Sequence, residues 1–209
     1  MEQYADICAI GTVADVVPLT GENRTIVKRG LEYLANTEIL GLNYLIDKAK
    51  LDRNALDSTG IAFRIAPVIN ASGRFGSPLT AVKTLLSEDP EDAESYVDTL
   101  LNLNAQRKQT ETEIMTEIVN YINAHPETLD HRVLVLSGKG WHHGVIGIVS
   151  SRILEFYGKP NVIISIDDDG NARGSARSVK GFNIFKCFQH CGELLDKFGG
   201  HECAGGLSL

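Results

Sequence analysis

The sequence has few of the residues that define several large classes of protein. Only four of its 209 residues are cysteines, no two of them form a Cys-x-x-Cys pair, and reduced thiols are therefore expected. No apolar run is long enough to cross a bilayer, and no signal peptide is recognisable. These absences argue against a disulfide framework and a membrane span, and they predict a cytoplasmic protein without membrane contact.

The sequence also lacks the excess of basic residues that marks many nucleic-acid-binding proteins. Lysine and arginine number 20 against 27 acidic residues, which gives a formal net charge of −7. A site for a polyanion must therefore be local. The hydrophobic share of 43% and the charged share of 22% are typical of globular proteins, and the length allows one large or two small domains.

The first two thirds of the sequence are predicted to be mainly helical. Residues 6–10 form an exception, because this short apolar run predicts a buried strand that turns at "GTVAD". Only five residues precede this predicted strand, which suggests that the sequence is a piece of a larger protein. Ser77-Pro78 and Asp89-Pro90 each mark a helix start. The second helix is predicted to run for about thirty residues, roughly 45 Å, which suits a connector between two domains.

The last third alternates between strands and helices, after "NAHPETLDH" (123–131) breaks the helical pattern. Strands are predicted at 132–136, at 161–166, over "NARGSARSV" (171–179) and from residue 203. Helices are predicted at 144–158, ending at Gly158, and at 183–198. This alternation predicts an α/β domain.

Asp15 directly follows the predicted first strand, where α/β proteins often place ligand groups. A carboxylate there can bind a hard divalent cation through oxygen. A turn-capping aspartate explains the same position, and the spacing alone favours that alternative.

Arg64, Asn70 and Arg74 lie among small residues before the helix start at Ser77. The planar guanidinium group can bind two phosphate oxygens at once, and a helix N-terminus favours an anion. A surface loop with one or two salt bridges fits equally well.

The motif "GWHHG" contains the only tryptophan, and it precedes a helix that starts near Gly144. Trp141 and His142 are candidates to stack on bases, to cap the helix or simply to pack. Packing is favoured unless nearby residues supply positive charge.

The motif "ARGSARS" does supply it, with Arg173, Ser175 and Arg177 two residues apart. On a strand this spacing places all three on one face, where two guanidinium groups would flank a hydroxyl. Such a face suits a phosphate backbone, and this function is favoured over a structural one.

A cluster near the C-terminus raises the alternative of a zinc site. Zinc needs four ligands, and five candidates occur within seventeen residues: Cys187, His190, Cys191, His201 and Cys203. However, the first two cysteines are four apart and fit the apolar stripe of a helix, so packing thiols are favoured.

Five segments together resemble the bacterial RecJ exonucleases, which degrade single-stranded DNA from the 5′ end and belong to the DHH phosphoesterase family. The segments are "DICAIGTVADVVPLTGENRTIVKRGLE", "FRIAPVINASGRFGSP", "GWHHGVIGIVSSRI", "RGSARS" and "FGGHECAGG". Their order and spacing fit over nearly the whole sequence, although the GGH or RxSxRS motif alone would be weak. Two small departures are Gly205, where an alanine is usual, and His143, where a proline is common.

The resemblance implies an architecture. Residues 1–20 would be the last strand and metal motif of a truncated DHH domain, and 21–126 a helical connector with a long interdomain helix. Residues 130–209 would be the mixed α/β DHH-associated domain. The family holds two Mn²⁺ or Mg²⁺ ions and binds single-stranded DNA in the cleft between its domains, in DNA repair and recombination.

The resemblance also assigns roles to residues. Asp15 would be a metal ligand, and Arg74, Ser175 and Arg177 would contact DNA phosphates. Gly199, Gly200 and His201 form the GGH signature, where His201 would hydrogen-bond the scissile phosphate. No DHH triplet occurs, so this chain alone is expected to be inactive. The alternatives are a DNA-binding module without catalysis and another DHH-family enzyme, such as a nanoRNase, a cyclic-dinucleotide phosphodiesterase or a pyrophosphatase.

Overall fold

A computed structural model describes residues 4–209, which divide into two compact units, one ending at Gln106 and one running from Arg107 to Leu209. The first unit is helical, and a long helix, α7, continues from it into the second. The helices up to that point are α1 (Ala5–Ala14), α2 (Gly21–Ala35), α3 (Leu40–Lys48), α4 (Ser58–Gly60), a π-helical turn (Ile61–Ile65), α5 (Ala66–Phe75), α6 (Leu79–Leu86) and α7 (Pro90–Ala124). A 3₁₀ turn, Arg53–Ala55, precedes α4.

The strand predicted at residues 6–10 is wrong, because these residues belong to helix α1. Ala5, Ala9 and Val13 are buried at a spacing of four, which is the period of a helix face. A methyl group added at Gly30 of α2 would lie 2.3 Å from Ala5 O and from Ala9 Cβ. The two helices therefore pack almost backbone to backbone, and the apolar run is buried against another helix.

A π-helical turn widens the helical segment just before Pro67. Proline has no N–H to donate, and its ring clashes with the carbonyl one turn earlier in a regular helix. The wider turn at Ile61–Ile65 lets α5 continue to Phe75. At the start of the segment, Asp57 Oδ1 accepts the Gly60 N–H at 2.7 Å.

Both predicted helix starts in the middle of the chain are confirmed. Ser77 Oγ accepts the Leu79 N–H at 3.2 Å at the start of α6. Asp89 Oδ1 accepts the N–H groups of Glu91 and Asp92 at 2.9 and 3.0 Å, which caps α7. The predicted long helix is also confirmed, since α7 has 35 residues. None of the helices in residues 4–209 is both long and apolar enough to cross a membrane.

The second unit contains one five-stranded sheet, in the order β1-β2-β3-β5-β4. Strands β1 and β2 are parallel, and every other neighbouring pair is antiparallel. The elements after α7 are a 3₁₀ turn (Pro126–Asp130), β1 (Leu134–Lys139), α8 (His143–Tyr157), β2 (Asn161–Ile166), β3 (Ala172–Arg177), α9 (Ile184–His190), a 3₁₀ turn (Gly192–Leu194), β4 (Lys197–His201) and β5 (Ala204–Ser208). The predicted mixed α/β fold is therefore confirmed.

The helix predicted at 183–198 is correct only in its first half. Helix α9 ends at His190, and Lys197–His201 form strand β4. The ring of Phe198 lies 6.4 Å from that of Phe188, so a strand residue continues the apolar surface of the helix. All five residues of β4 are exposed, and two are glycines, so the strand has no hydrophobic alternation that would reveal it.

Candidate nucleic-acid interface

The two faces of the sheet have different coverings. On one face, α9 packs its buried residues Ile184 and Phe188 against Val162 of β2 and Ala176 of β3. Because side chains alternate along a strand, Arg173, Ser175 and Arg177 point to the opposite face. Helix α8 packs against β2 and β3, and its Ser150 Oγ donates to Asn161 Oδ1 of β2 at 2.7 Å, in the register row of Arg177.

The strand register places Arg177 and His201 in one row across three strands. Arg177 of β3 is opposite Ala204 of β5, and Ala204 is opposite His201 of β4. Residues directly opposite each other point to the same face. Only the methyl group of Ala204 therefore separates the guanidinium and imidazole groups along this row, which we call the first row.

Two further rows follow on the same face. The middle row consists of Ser175, Gly206 and Gly199, and the next consists of Arg173, Ser208 and Lys197. Gly206 and Gly199 are exposed, and a methyl group added at Gly199 would meet nothing within 4 Å. The outer part of this face therefore exposes the backbone at Gly199 and Gly206, with a positively charged side chain in the row on either side. We call the surface formed by these three rows the glycine shelf.

Helix α8 reaches the inner border of the glycine shelf at Gly147. A methyl group added there would lie 3.2 Å from Ser175 Oγ and 3.7 Å from Arg177 Nη2. Arg177 Nη1 donates to Ala176 O at 2.9 Å and approaches Ser175 Oγ at 3.4 Å. Burial lowers the pKa of the Arg177 guanidinium group, which nevertheless stays protonated at neutral pH. Arg177 is therefore a braced, half-buried cation.

The two glycines of the GGH signature occupy structurally different environments. Gly200 has φ +144°, and a methyl group on it would lie 2.4 Å from Ala204 O. The β4–β5 hairpin therefore requires glycine at this position. Gly199 has no such restraint, and its open side faces the glycine shelf. Contact with substrate stays a prediction for both residues.

The turn after His201 is fixed by the loop that precedes α9. The N–H groups of Ser178 and Ile184 donate to Cys203 O and Glu202 O, at 2.9 and 3.0 Å. The Gly181 N–H donates to Glu202 Oε1 at 3.1 Å. These bonds hold the hairpin end that carries His201. Glu202 is a positioning residue that sequence reasoning missed, and no local pattern marks it, because its partners lie about twenty residues earlier.

Trp141 and His142 are held by the fold. The indole ring is 8% exposed and lies over Gly138, and its Nε1 donates to Glu117 Oε2 of α7 at 2.8 Å. His142 Nδ1 accepts the Gly144 N–H at 3.1 Å, which confirms the helix-capping alternative. Burial lowers the pKa of His142, and the neighbouring His143 lowers it further. Trp141 packs, and stacking of either residue on a base stays a prediction.

Asp15 and Arg74 belong to the first unit. Asp15 follows a helix rather than a strand, and its N–H donates to Gly11 O at 3.1 Å, where α1 ends. Its side chain is exposed. Arg74 is half-buried in the last turn of α5. Arg64 Nη2 donates to Ala49 O at the end of α3. The alternative of a surface loop is wrong for residues 64–75, because they are helical.

Residues 4–209 do not by themselves make a metal centre. Within residues 4–209, no group of three or more His, Cys, Asp or Glu side chains is arranged to hold a metal ion. Cys203 and Cys191 are exposed, and Cys187 donates weakly to Asn183 O at 3.6 Å. Asp15 thus belongs to no such group among the described residues.

Comparison with known proteins defines the second unit. Residues 130–209 match the family model of the DHHA1 domain. The matched range includes the sheet, α8 and α9, which carry the glycine shelf, and the similarity to RecJ exonucleases extends over the entire chain.

The chain is 37% identical to the single-stranded-DNA-specific exonuclease RecJ of Bacillus subtilis, over 100% of its own length and 26% of that relative. A manganese complex of RecJ from Thermus thermophilus superposes with a TM-score of 0.86 at 34% identity, covering 100% of this chain and 30% of the other. A second manganese-bound exonuclease RecJ gives 0.84 at 33% identity, covering 100% and 51%. The chain thus spans about a quarter of the curated relative's length.

Proposed function

We propose that this chain is part of a single-stranded-DNA-specific 5′→3′ exonuclease and that its DHHA1 domain binds the phosphate backbone of the substrate. The observation that carries the proposal is the first row, in which Arg177 and His201 flank Ala204 on the sheet face opposite α9. The printed function of the RecJ relatives supports the substrate class. We also propose that the protein acts in DNA repair and recombination and that it is located in the cytoplasm.

The glycine shelf suits a phosphodiester for three reasons. Arg177 supplies a permanent charge, and its bond to Ala176 O keeps the guanidinium group oriented. Gly199 and Gly206 let a phosphate approach the sheet backbone without meeting a Cβ atom. His201 lies exposed at the end of β4, where its ring can donate a hydrogen bond to a phosphate oxygen. In this proposal Ser175 contacts the same phosphate as Arg177.

The proposal assigns the first unit a supporting part. Residues 1–20 would contribute Asp15 to a two-metal centre with Mn²⁺ or Mg²⁺, and residues 21–126 would form the helical connector, with Arg74 on the substrate side. Divalent metals activate water and stabilise the developing charge in phosphodiester hydrolysis. Asp15 is the only ligand that the resemblance assigns here, and one carboxylate cannot hold two cations. We therefore expect no nuclease activity from the purified chain alone.

Amide chemical-shift mapping with 5′-phosphorylated oligothymidine tests the binding site. We expect the largest shifts at residues 175–177, 199–201 and 206, and weaker shifts with the 5′-hydroxyl oligomer or with duplex DNA. Shifts confined to the α9 face of the sheet would overturn the proposed surface. Incubation of labelled single strands with the chain and Mn²⁺ tests the second part, and processive degradation from the 5′ end would contradict the expected inactivity.

A further inference from the structure

A buried carboxylate lies on helix α7, and the proposed function gives it no role. Glu111 is only 3% exposed, and it lies in the same buried stripe of the helix as Ile114 and Ile118. A charged side chain in such a stripe loses its hydration, and the loss is unfavourable unless other groups compensate it. The partners of Glu111 therefore indicate what this carboxylate does in the fold.

Two arginines surround Glu111 and connect α7 to α8. Arg107 Nη1, one turn earlier on α7, donates to Glu111 Oε2 at 2.7 Å. Arg152 of α8 forms an ion pair with Glu111 Oε1 through its Nε, and within residues 4–209 this oxygen accepts no hydrogen bond. A buried ion pair adds little net stability, because the loss of hydration offsets the attraction, but it favours one geometry over others. Glu111 thus fixes where α8 lies along α7.

A second carboxylate of α7 holds the segment just before α8. Glu117 Oε2 accepts the indole N–H of Trp141 at 2.8 Å. Gly147 lies between Trp141 and Arg152 in the sequence. At the helical rise, Gly147 is about 7.5 Å from Arg152 along the axis of α8. Because α7 contacts the chain on both sides of Gly147, the place of this glycine along α7 is fixed.

Gly147 connects α8 to the proposed phosphate site. A methyl group there would lie 3.2 Å from Ser175 Oγ and 3.7 Å from Arg177 Nη2, so the helix backbone lies directly beside both side chains. We infer that Glu111 is a positioning residue for this site, because it holds α8 against α7 and α8 in turn holds Ser175 and Arg177. The inference rests on the proposed function of the first row. It makes helix α7 part of the arrangement that binds the substrate.

The variant Glu111→Gln separates positioning from simple electrostatics, because the two predict effects of opposite sign. Glutamine removes one negative charge, so a charge effect alone would strengthen the binding of a polyanion. Loss of the ion pair with Arg152 frees α8, and we expect a 5′-phosphorylated oligothymidine to bind about three- to tenfold more weakly. Fluorescence anisotropy measures the affinity at a temperature at which circular dichroism shows both the variant and the wild type to be fully folded.

Arg152→Gln is the second variant, and it should fold because the Arg152 side chain is 59% exposed. It should weaken binding by a similar factor. In NMR spectra of the free protein it should also shift the signals of the Ser175 amide and of the Arg177 side-chain Nε–H. The matched control is Lys48→Gln, which removes an equal charge that also pairs with carboxylates of α7. The control should leave the affinity and both signals nearly unchanged.

The outcomes separate the positioning role from the proposed function. If Arg177→Gln weakens binding while Glu111→Gln binds as tightly as the wild type or more tightly, the positioning role is wrong and the proposed site stands. Unmoved signals of Ser175 and Arg177 in Arg152→Gln, or an equal loss of affinity in Lys48→Gln, would also overturn it. If the wild type does not bind the oligonucleotide, both proposals fail. Should Glu111→Gln not fold, Arg152→Gln and its control decide.

Discussion

Gly147 of α8 and Ser175 of β3 are so close that a methyl group added to the glycine would lie 3.2 Å from the serine hydroxyl oxygen. The same methyl group would lie 3.7 Å from Arg177 Nη2. The helix therefore sets the position of both side chains, because a residue larger than glycine at position 147 would displace them. A substitution at Gly147 can therefore change the binding of single-stranded DNA without a change in the stability of the fold.

We predict that Gly147→Ala weakens single-strand binding without lowering the melting temperature. Alanine is favoured over glycine in a helix by about 1 kcal/mol, which offsets the small shift that Ser175 must make. The shift moves the hydroxyl and guanidinium groups away from their places on the shelf. Fluorescence anisotropy with a labelled oligothymidine and a thermal melt of the same sample measure the two effects. Unchanged affinity would show that α8 does not position the site.

Gly199 and Gly200 should respond differently to alanine, although they are neighbours. Gly200→Ala forces a side chain into a backbone with φ +144° and against Ala204 O, so it should unfold the hairpin, with a backbone cost of about 1–3 kcal/mol before the clash. Gly199→Ala meets open space and should leave stability nearly unchanged while it blocks phosphate approach. Denaturant unfolding and oligonucleotide affinity of both variants check this. Full binding by folded Gly199→Ala would contradict the glycine shelf.

Gly205 is matched to the ring of Phe188. A methyl group at residue 205 would lie 2.7 Å from Phe188 Cε2, and this ring is 5% exposed. Gly205→Ala should therefore cost about 1–3 kcal/mol through overpacking. The variant Phe188→Leu removes the ring edge, and the double variant should be more stable than the sum of the single effects predicts. Strictly additive free energies of unfolding would show that the two residues are independent.

Protonation of His142 should weaken the start of α8. Its pKa is lowered in the folded chain, chiefly by burial, so the unfolded chain binds a proton more readily. The contribution of His142 is therefore fully present above its unfolded pKa of about 6.5 and is lost as the pH falls below it. The variant His142→Asn keeps a capping side chain and does not titrate. The melting temperature of the wild type should fall more steeply than that of the variant below pH 6.5, and parallel curves would contradict this prediction.

The sequence predicts the parts of the fold that depend on local pattern. Residues 161–166 are an apolar run in a strand, and α8 ends where Gly158 takes the left-handed conformation at φ +64°, as expected from a glycine there. The short apolar run at 6–10 satisfies both the strand and the helix interpretation, and only packing against Gly30 decides between them. Strand β4 is exposed and rich in glycine, so its own sequence does not indicate a strand. Its extended conformation depends on pairing with β5.

The same division applies to the candidate site. The two-residue spacing predicts correctly that Arg173, Ser175 and Arg177 share a face. The strand order β3-β5-β4 places His201 in the row of Arg177 and Lys197 in the row of Arg173. In this order β4 forms the edge of the sheet, and β5, which follows β4 in the sequence, lies between β3 and β4. Pairing between distant strands has no local signal. The packing of Trp141 under the bond to Glu117 is likewise a tertiary contact across twenty-four residues.

The salt dependence of single-strand binding by Arg177→Gln tests the central claim most directly. If Arg177 neutralises a phosphate, the variant should bind a 5′-phosphorylated oligothymidine several-fold more weakly, and the slope of log affinity against log salt should fall by about 0.7. Lys186→Gln, with the same loss of charge on the α9 side, should keep the wild-type slope. Equal slopes for the wild type, Arg177→Gln and Lys186→Gln would show that the glycine shelf does not bind DNA.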